Sequence, residues 1–102
     1  MKSDLQSLLN QINGIPAYNP DIFQQYRMLV KQCADRIQSY NIDDHNPMLM
    51  AWVNMGLEEL QKETQVRLND NFTSLPIDKQ KTEFMYSRST VTMSLTNIIM
   101  NL

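Results

Sequence analysis

Cys33 and His45 are the only thiol and the only imidazole of this chain. Brought within hydrogen-bond reach, they could form a thiolate–imidazolium pair for nucleophilic catalysis. Cys33, however, falls in an apolar repeat, Phe23, Tyr26, Val30, Cys33, Ile37 and Tyr40, where a small buried hydrophobe is the expected role. Asp43-Asp44-His45 sets three potential metal ligands side by side in a predicted loop. Adjacent residues rarely converge on one ion, and no EF-hand spacing follows them. One Cys and one His cannot build the usual structural zinc sets. The simpler reading makes Asp44 or Asn46 a helix cap and His45 a solvated loop residue. Gly-x-Ser-x-Gly, a glycine-rich phosphate loop and paired catalytic carboxylates do not occur. The expectation is a protein that is not an enzyme and holds no metal and no cofactor.

Lys79, Lys81, Tyr86 and Arg88 put positive charge on one predicted helix, so a nucleic-acid-binding regulator using the Lys79–Arg88 face is the alternative function. A helix-turn-helix needs a short turn before a basic recognition helix. Here one connection leads into a greasy helix and the other is long. The net charge of −2 gives no general drive toward nucleic acid or an anionic membrane. After Lys2 the apolar residues are interrupted by polar ones, so no signal-peptide core is visible. The longest apolar run, Met48–Leu57, is half the length of a membrane span, which needs roughly 20 residues. A single cysteine cannot form an intramolecular disulfide, which points to a reducing, cytoplasmic site of folding.

The elements that must position these groups read as helices. With 102 residues there is room for one domain, and two glycines with four prolines favour long helices over many strands. In the first helix Ser3 and Gln6 have capping-box spacing, and Leu5, Leu8, Leu9 and Ile12 form one face. Gly14 then suits a left-handed C′ position before Pro16. A second helix starts at Asn19-Pro20, carries the Phe23–Tyr40 seam and stops near Asn41. The third starts at Asn46-Pro47, is apolar almost all round through Leu57, narrows to Leu60, Thr64 and Leu68, and ends at Asn69-Asp70-Asn71. The fourth starts near Pro76 and carries Ile77, Phe84, Arg88, Val91, Leu95, Ile98 and Leu102 at 3/4 spacing. Ser89–Thr96 also alternates like a strand, but the seam continues on both sides of it, which favours helix. The fold class is therefore all-α: a bundle of about four helices, with two short N-terminal helices forming an antiparallel pair and a long helical hairpin behind them.

Two features exceed what a self-contained bundle requires. Nine of the ten residues of Met48–Leu57 are apolar or glycine, with Trp52 and three methionines among them. A helix apolar all round must be covered all round, and the stretch is assigned to the centre of the bundle. Ile98, Ile99, Met100 and Leu102 crowd the last five residues, where polar, frayed chain is the norm. These features predict a non-catalytic protein–protein interaction module: a small adaptor, inhibitor, chaperone-like or assembly subunit. It would act on a protein partner and as a homo-oligomer through Met48, Trp52, Met55, Phe84, Arg88, Val91, Leu95, Ile98, Ile99 and Leu102. An accessory protein of a phage, plasmid or secretion system is the association this suggests.

Overall fold

Asn19 and Asn46 each turn a side-chain oxygen back onto the start of a helix, and each is followed by proline. Asn19 Oδ1 accepts from the Asp21 amide at 2.9 Å, and Asn46 Oδ1 from the Leu49 amide at 3.1 Å. Proline at the first helical position sacrifices no hydrogen bond, because that N–H has no intrahelical partner anyway. The computed structural model describes residues 2–40 and 46–102. Four α-helices follow in order: α1 (Lys2–Asn13), α2 (Phe23–Gln38), α3 (Pro47–Lys62) and α4 (Ile77–Met100). A 3-10 turn at Pro20–Ile22 leads into α2, a π turn at Glu63–Arg67 prolongs α3, and a second 3-10 turn spans Phe72–Ser74. No strand occurs among the described residues, and Ser89–Thr96 is helical. α1 and α2 have 12 and 16 residues; α3 has 16 before its π turn of 5, and α4 has 24. Asp43, Asp44 and His45 lie outside the described residues.

Each helix packs against two neighbours, α1 on α2 and α4, and α3 on α2 and α4, so the expected pairs close into a ring. Cross-ring contacts show antiparallel order. Asn13 at the end of α1 accepts from Thr92 of α4, Arg27 of α2 reaches Leu68 and Asp70 beyond α3, and Arg67 reaches Glu83. The core is one cluster running from Leu5 to Ile99, with Tyr26, Cys33, Leu60, Val91 and Leu95 fully enclosed. At one end it is aromatic. Phe23 stacks on Phe72 at 4.7 Å, Tyr18 lies between Phe72 and Phe84, and Tyr26 meets Phe84 edge-on.

Two terminal details differ from the sequence reading. Ser3 lies inside α1, and Gln6 bonds to Asn10 one turn on instead of closing a capping box. Gly14 is not left-handed, since no described residue has positive φ. The Gly14 amide donates to Asn10 O and Ile15 to Ile12 O, tightening the last turn before Pro16 turns the chain away.

The π turn corrects the face of α3. Leu60 and Leu68 are both fully buried. Eight residues of regular α-helix would place them about 80° apart. The Leu68 amide bonds to Glu63 O at 2.7 Å, five residues back, and that wider turn absorbs about one residue and realigns the two leucines.

Gly56 sets the approach of α3 to α4. A Cβ there would lie 2.7 Å from Ile98 Cδ1 and 3.4 Å from its Cγ1. Gly56→Ala gains helix propensity of about 1 kcal/mol but overpacks the contact, at a cost of about 1–3 kcal/mol. Ile98→Val removes the clashing methyl. Urea unfolding of both single variants and the double should show favourable coupling of about 1 kcal/mol. Simple additivity would mean that the helices can separate freely at this point.

Candidate functional site

The fourth helix carries two stripes. Phe84, Val91, Leu95, Ile98 and Ile99, all named from the sequence as contact residues, point inward and are covered by the chain's own helices. Leu102 packs half-buried at the edge of the same core. Arg88 is half-buried as well. Its Nη1 donates to Ile15 O at 2.8 Å, and its guanidinium lies 5.0 Å from the centre of the Phe84 ring. It therefore ties the α1 exit to α4. Cation–π and carbonyl contacts satisfy it without a carboxylate.

The second stripe faces solvent. Tyr86, Met93 and Met100 recur every seven residues and are 54%, 65% and 76% exposed. Beside them, α3 presents Met48 and Met55, also exposed, with Trp52 half-buried between. Here the sequence reading needs correction. Met48–Leu57 is not the centre of the bundle: only Val53 and Gly56 of the stretch are buried, while Met48, Ala51, Asn54 and Met55 are exposed. Residues 53, 56 and 60 take the inward positions, and through Leu57 the outward side has only Asn54 as a polar residue. Of the seven described methionines, six are exposed, so methionine serves the surface of this protein rather than its core.

A groove of about 550 Å³ runs between α3 and α4. Trp52, Met55 and Gly56 line one wall and Ser89, Met93, Ser94 and Asn97 the other, and Glu59 is its one charged lining residue. A second groove, of about 530 Å³, lies on the opposite flank of α4, against Asn13 of α1. Ser89, Met93 and Asn97 line both, so they form a ridge between two troughs. No charged residue occurs in Pro47–Leu57 or in Ser89–Leu102. These two segments carry no charged side chain, along α4 for about three turns.

Polar chemistry gathers elsewhere. Glu63 is buried, and its Oε2 accepts from Arg67 Nε at 2.8 Å. Arg67 Nη1 also donates to Glu83 at 2.7 Å. Burial opposes the charge on Arg67, but the hydrogen bonds and charges of Glu63 and Glu83 outweigh it and raise its pKa. Tyr18 Oη donates to Gln80 Oε1 at 2.6 Å, while Gln80 Nε2 donates to Thr73 O and Leu75 O, pinning the turn before α4. Tyr26 Oη and Ser87 Oγ share a hydrogen bond of 2.8 Å. Most of these groups are spent on one another; the exception is Glu63 Oε1, which is buried without a hydrogen-bond partner among the described residues. Among the described residues no three His, Cys, Asp or Glu side chains gather to hold a metal, and no helix is long and apolar enough to cross a membrane. Lys79 and Lys81 are exposed, with Asp78 and Glu83 interleaved on the same helix and Arg88 turned inward.

The outward heptad and the buried Glu63 were the features that sequence reasoning missed. The spacing Tyr86–Met93–Met100 could have revealed the first; Glu63 continues the inward spacing of residues 53, 56 and 60, but its charge reads as solvated. Comparison with known protein families, with curated proteins and with solved structures finds no match to this chain.

Two outcomes follow from the buried polar groups. Arg67→Met strips Glu63 of its cation and should lower the unfolding free energy by about 3 kcal/mol, and adding Glu63→Leu should recover most of that loss. Equal stability of wild type and Arg67→Met in urea would contradict the pairing. Burial also pushes the Cys33 thiol up to about 12 from its ordinary 9.0, and raises the Tyr26 and Tyr18 phenols. The fold disfavours the ionised thiol, so its contribution is complete below pH 9 and is lost as pH climbs toward 12. The guanidinium midpoint should be level from pH 6 to 8.5 and fall above 9. A level midpoint through pH 11 would be inconsistent with a buried thiol.

Proposed function

We propose that this protein is a non-catalytic interaction module that works by burying the charge-poor α3–α4 face, whose groove holds only Glu59 as a charged residue, against another protein chain. The observation that carries the reading is the composition of that face: Trp52 and Met55 share a groove with Met93, Met48 and Met100 are exposed on the same two helices, and α4 has no charged side chain from Ser89 onward. Interface cores are depleted in charge and enriched in methionine and aromatic residues, whereas an ordinary solvated helix face carries Lys and Glu. Methionine side chains reshape to fit a partner at little cost, and a half-buried tryptophan supplies a rigid anchor. The groove between Trp52 and Met93 suits the knobs of an incoming helix.

The class of activity is that of an adaptor, a chaperone-like protein or an assembly subunit. It binds, holds and positions, with no bond made or broken. A cytoplasmic setting agrees with a lone buried thiol.

The test is affinity capture from cells that make the protein, with wild type and a Met55→Asp/Met93→Asp double variant. Both positions are exposed, so the variant should keep its helical circular dichroism and thermal midpoint within a few degrees. Chains of any kind, its own or foreign, that wild type retains and the variant loses support the reading. An identical set of bound chains from both would overturn it.

A further inference from the structure

We propose that the chain covering this face is a second copy of this protein, packed so that α4 lies antiparallel on α4 across a two-fold axis at Met93. The inference rests on the reading that the face acts by burial against protein. Its own support is that the exposed stripe matches itself.

A two-fold interface requires one patch to be its own complement, so that if one residue meets another, the reverse contact also occurs. Antiparallel α4 helices centred on Met93 would set Met93 against Met93, with Tyr86 at the level of Met100 and Ser89 at the level of Asn97. Each pairing is compatible. Thioether sulfur is favourable at an aromatic edge. Hydroxyls and amides exchange hydrogen bonds, and the two methionines on the axis interdigitate. Like charges on an isologous face would meet across the axis at a cost of several kcal/mol in other proteins; here Ser89–Leu102 contains none, and the charges beside it, Arg88 in one groove and Glu59 in the other, lie off the axis on opposite flanks of α4. A face made for a foreign helix has no reason to be balanced about its own middle residue.

Shape agrees with pattern. The ridge of Ser89, Met93 and Asn97 lies between two grooves of similar size, about 530 and 550 Å³. In helix packing the ridge of one copy lies in the groove beside the ridge of the other. The small side chains Thr90 and Ser94 in one groove and Thr92 and Thr96 in the other leave room for a ridge to enter. Stable interfaces cover about 800 Å² per partner, more than two heptads of one helix supply. Met48, Trp52 and Met55 on the adjoining α3 wall extend the patch, and Trp52 stands where the edge of the second copy would reach.

The experiment is sedimentation velocity of the wild-type chain from about 1 to 500 µM, with two variants. The proposal expects a species of twice the 11.9 kDa chain mass. Met93→Asp, which sets two carboxylates on the axis, should weaken self-association by about a hundredfold or more. Met93→Cys should form an intermolecular disulfide under mild oxidation, since a residue on the axis meets its own copy. Met28→Cys, exposed on α2, should not, and wild type, whose Cys33 is buried, should not either. The cross-link does not depend on whether Met93→Asp folds. A wild type that stays at single-chain mass to 500 µM overturns the proposal. So does a dimer that Met93→Asp leaves intact and Met93→Cys fails to lock. If wild type is a monomer yet captures foreign chains that the Met55→Asp/Met93→Asp variant loses, the dimer falls and the functional reading stands. If neither association occurs, both fall.

Discussion

The absence of a side chain at Gly56 is the constraint on which the candidate site depends. Ile98 of α4 fills the space a Cβ would take, so α3 and α4 close on each other at that point. The gap is closed from below by a fully buried isoleucine and left open above, where Trp52 and Met55 stand opposite Ser94 and Met93. A larger residue at 56 would push the helices apart and merge floor and groove. Packing in the core and the form of the surface are thus one feature seen from two sides.

The rest of the bundle divides the labour between its ends. Where α2, the Phe72 turn and the start of α4 meet, five aromatic rings interlock, and Gln80, Arg27, Arg67 and Arg88 tie loops and helices with directional bonds. Such contacts fix geometry, because a ring or a guanidinium has few arrangements that satisfy it. Toward the start of α3 and the end of α4 the groups are aliphatic, thioether and small hydroxyl. These have many nearly equivalent arrangements. A rigid polar end can hold the adaptable end in place while it accommodates another surface.

Much of the architecture was legible in the residues. Asn19-Pro20 and Asn46-Pro47 start helices for local reasons, and the seams of α2 and α4 follow from spacing alone. The π turn was not legible, because it answers a demand from the neighbouring helices that Leu60 and Leu68 share a side. Glu63 was hidden for a different reason. It continues the inward spacing of Val53, Gly56 and Leu60, a burial its charge argues against, and Arg67 and Glu83 complete an ion chain there across two elements. Gly14 was misjudged because a following proline is enough to end a helix without a left-handed residue.

By itself, the sequence determined where helices begin and end, that they form one all-α bundle, and that some apolar surface exceeds what that bundle can bury. It could not determine which surface. On α4 the stripes Phe84–Val91–Ile98 and Tyr86–Met93–Met100 have the same seven-residue spacing, and on α3 every side of Met48–Leu57 is apolar. Periodicity measures separation around a helix and carries no direction. Tertiary packing chose the side: stiff, branched Val91 and Ile98 fill a close-packed interior against α1 and α3, and the flexible methionines are left outside.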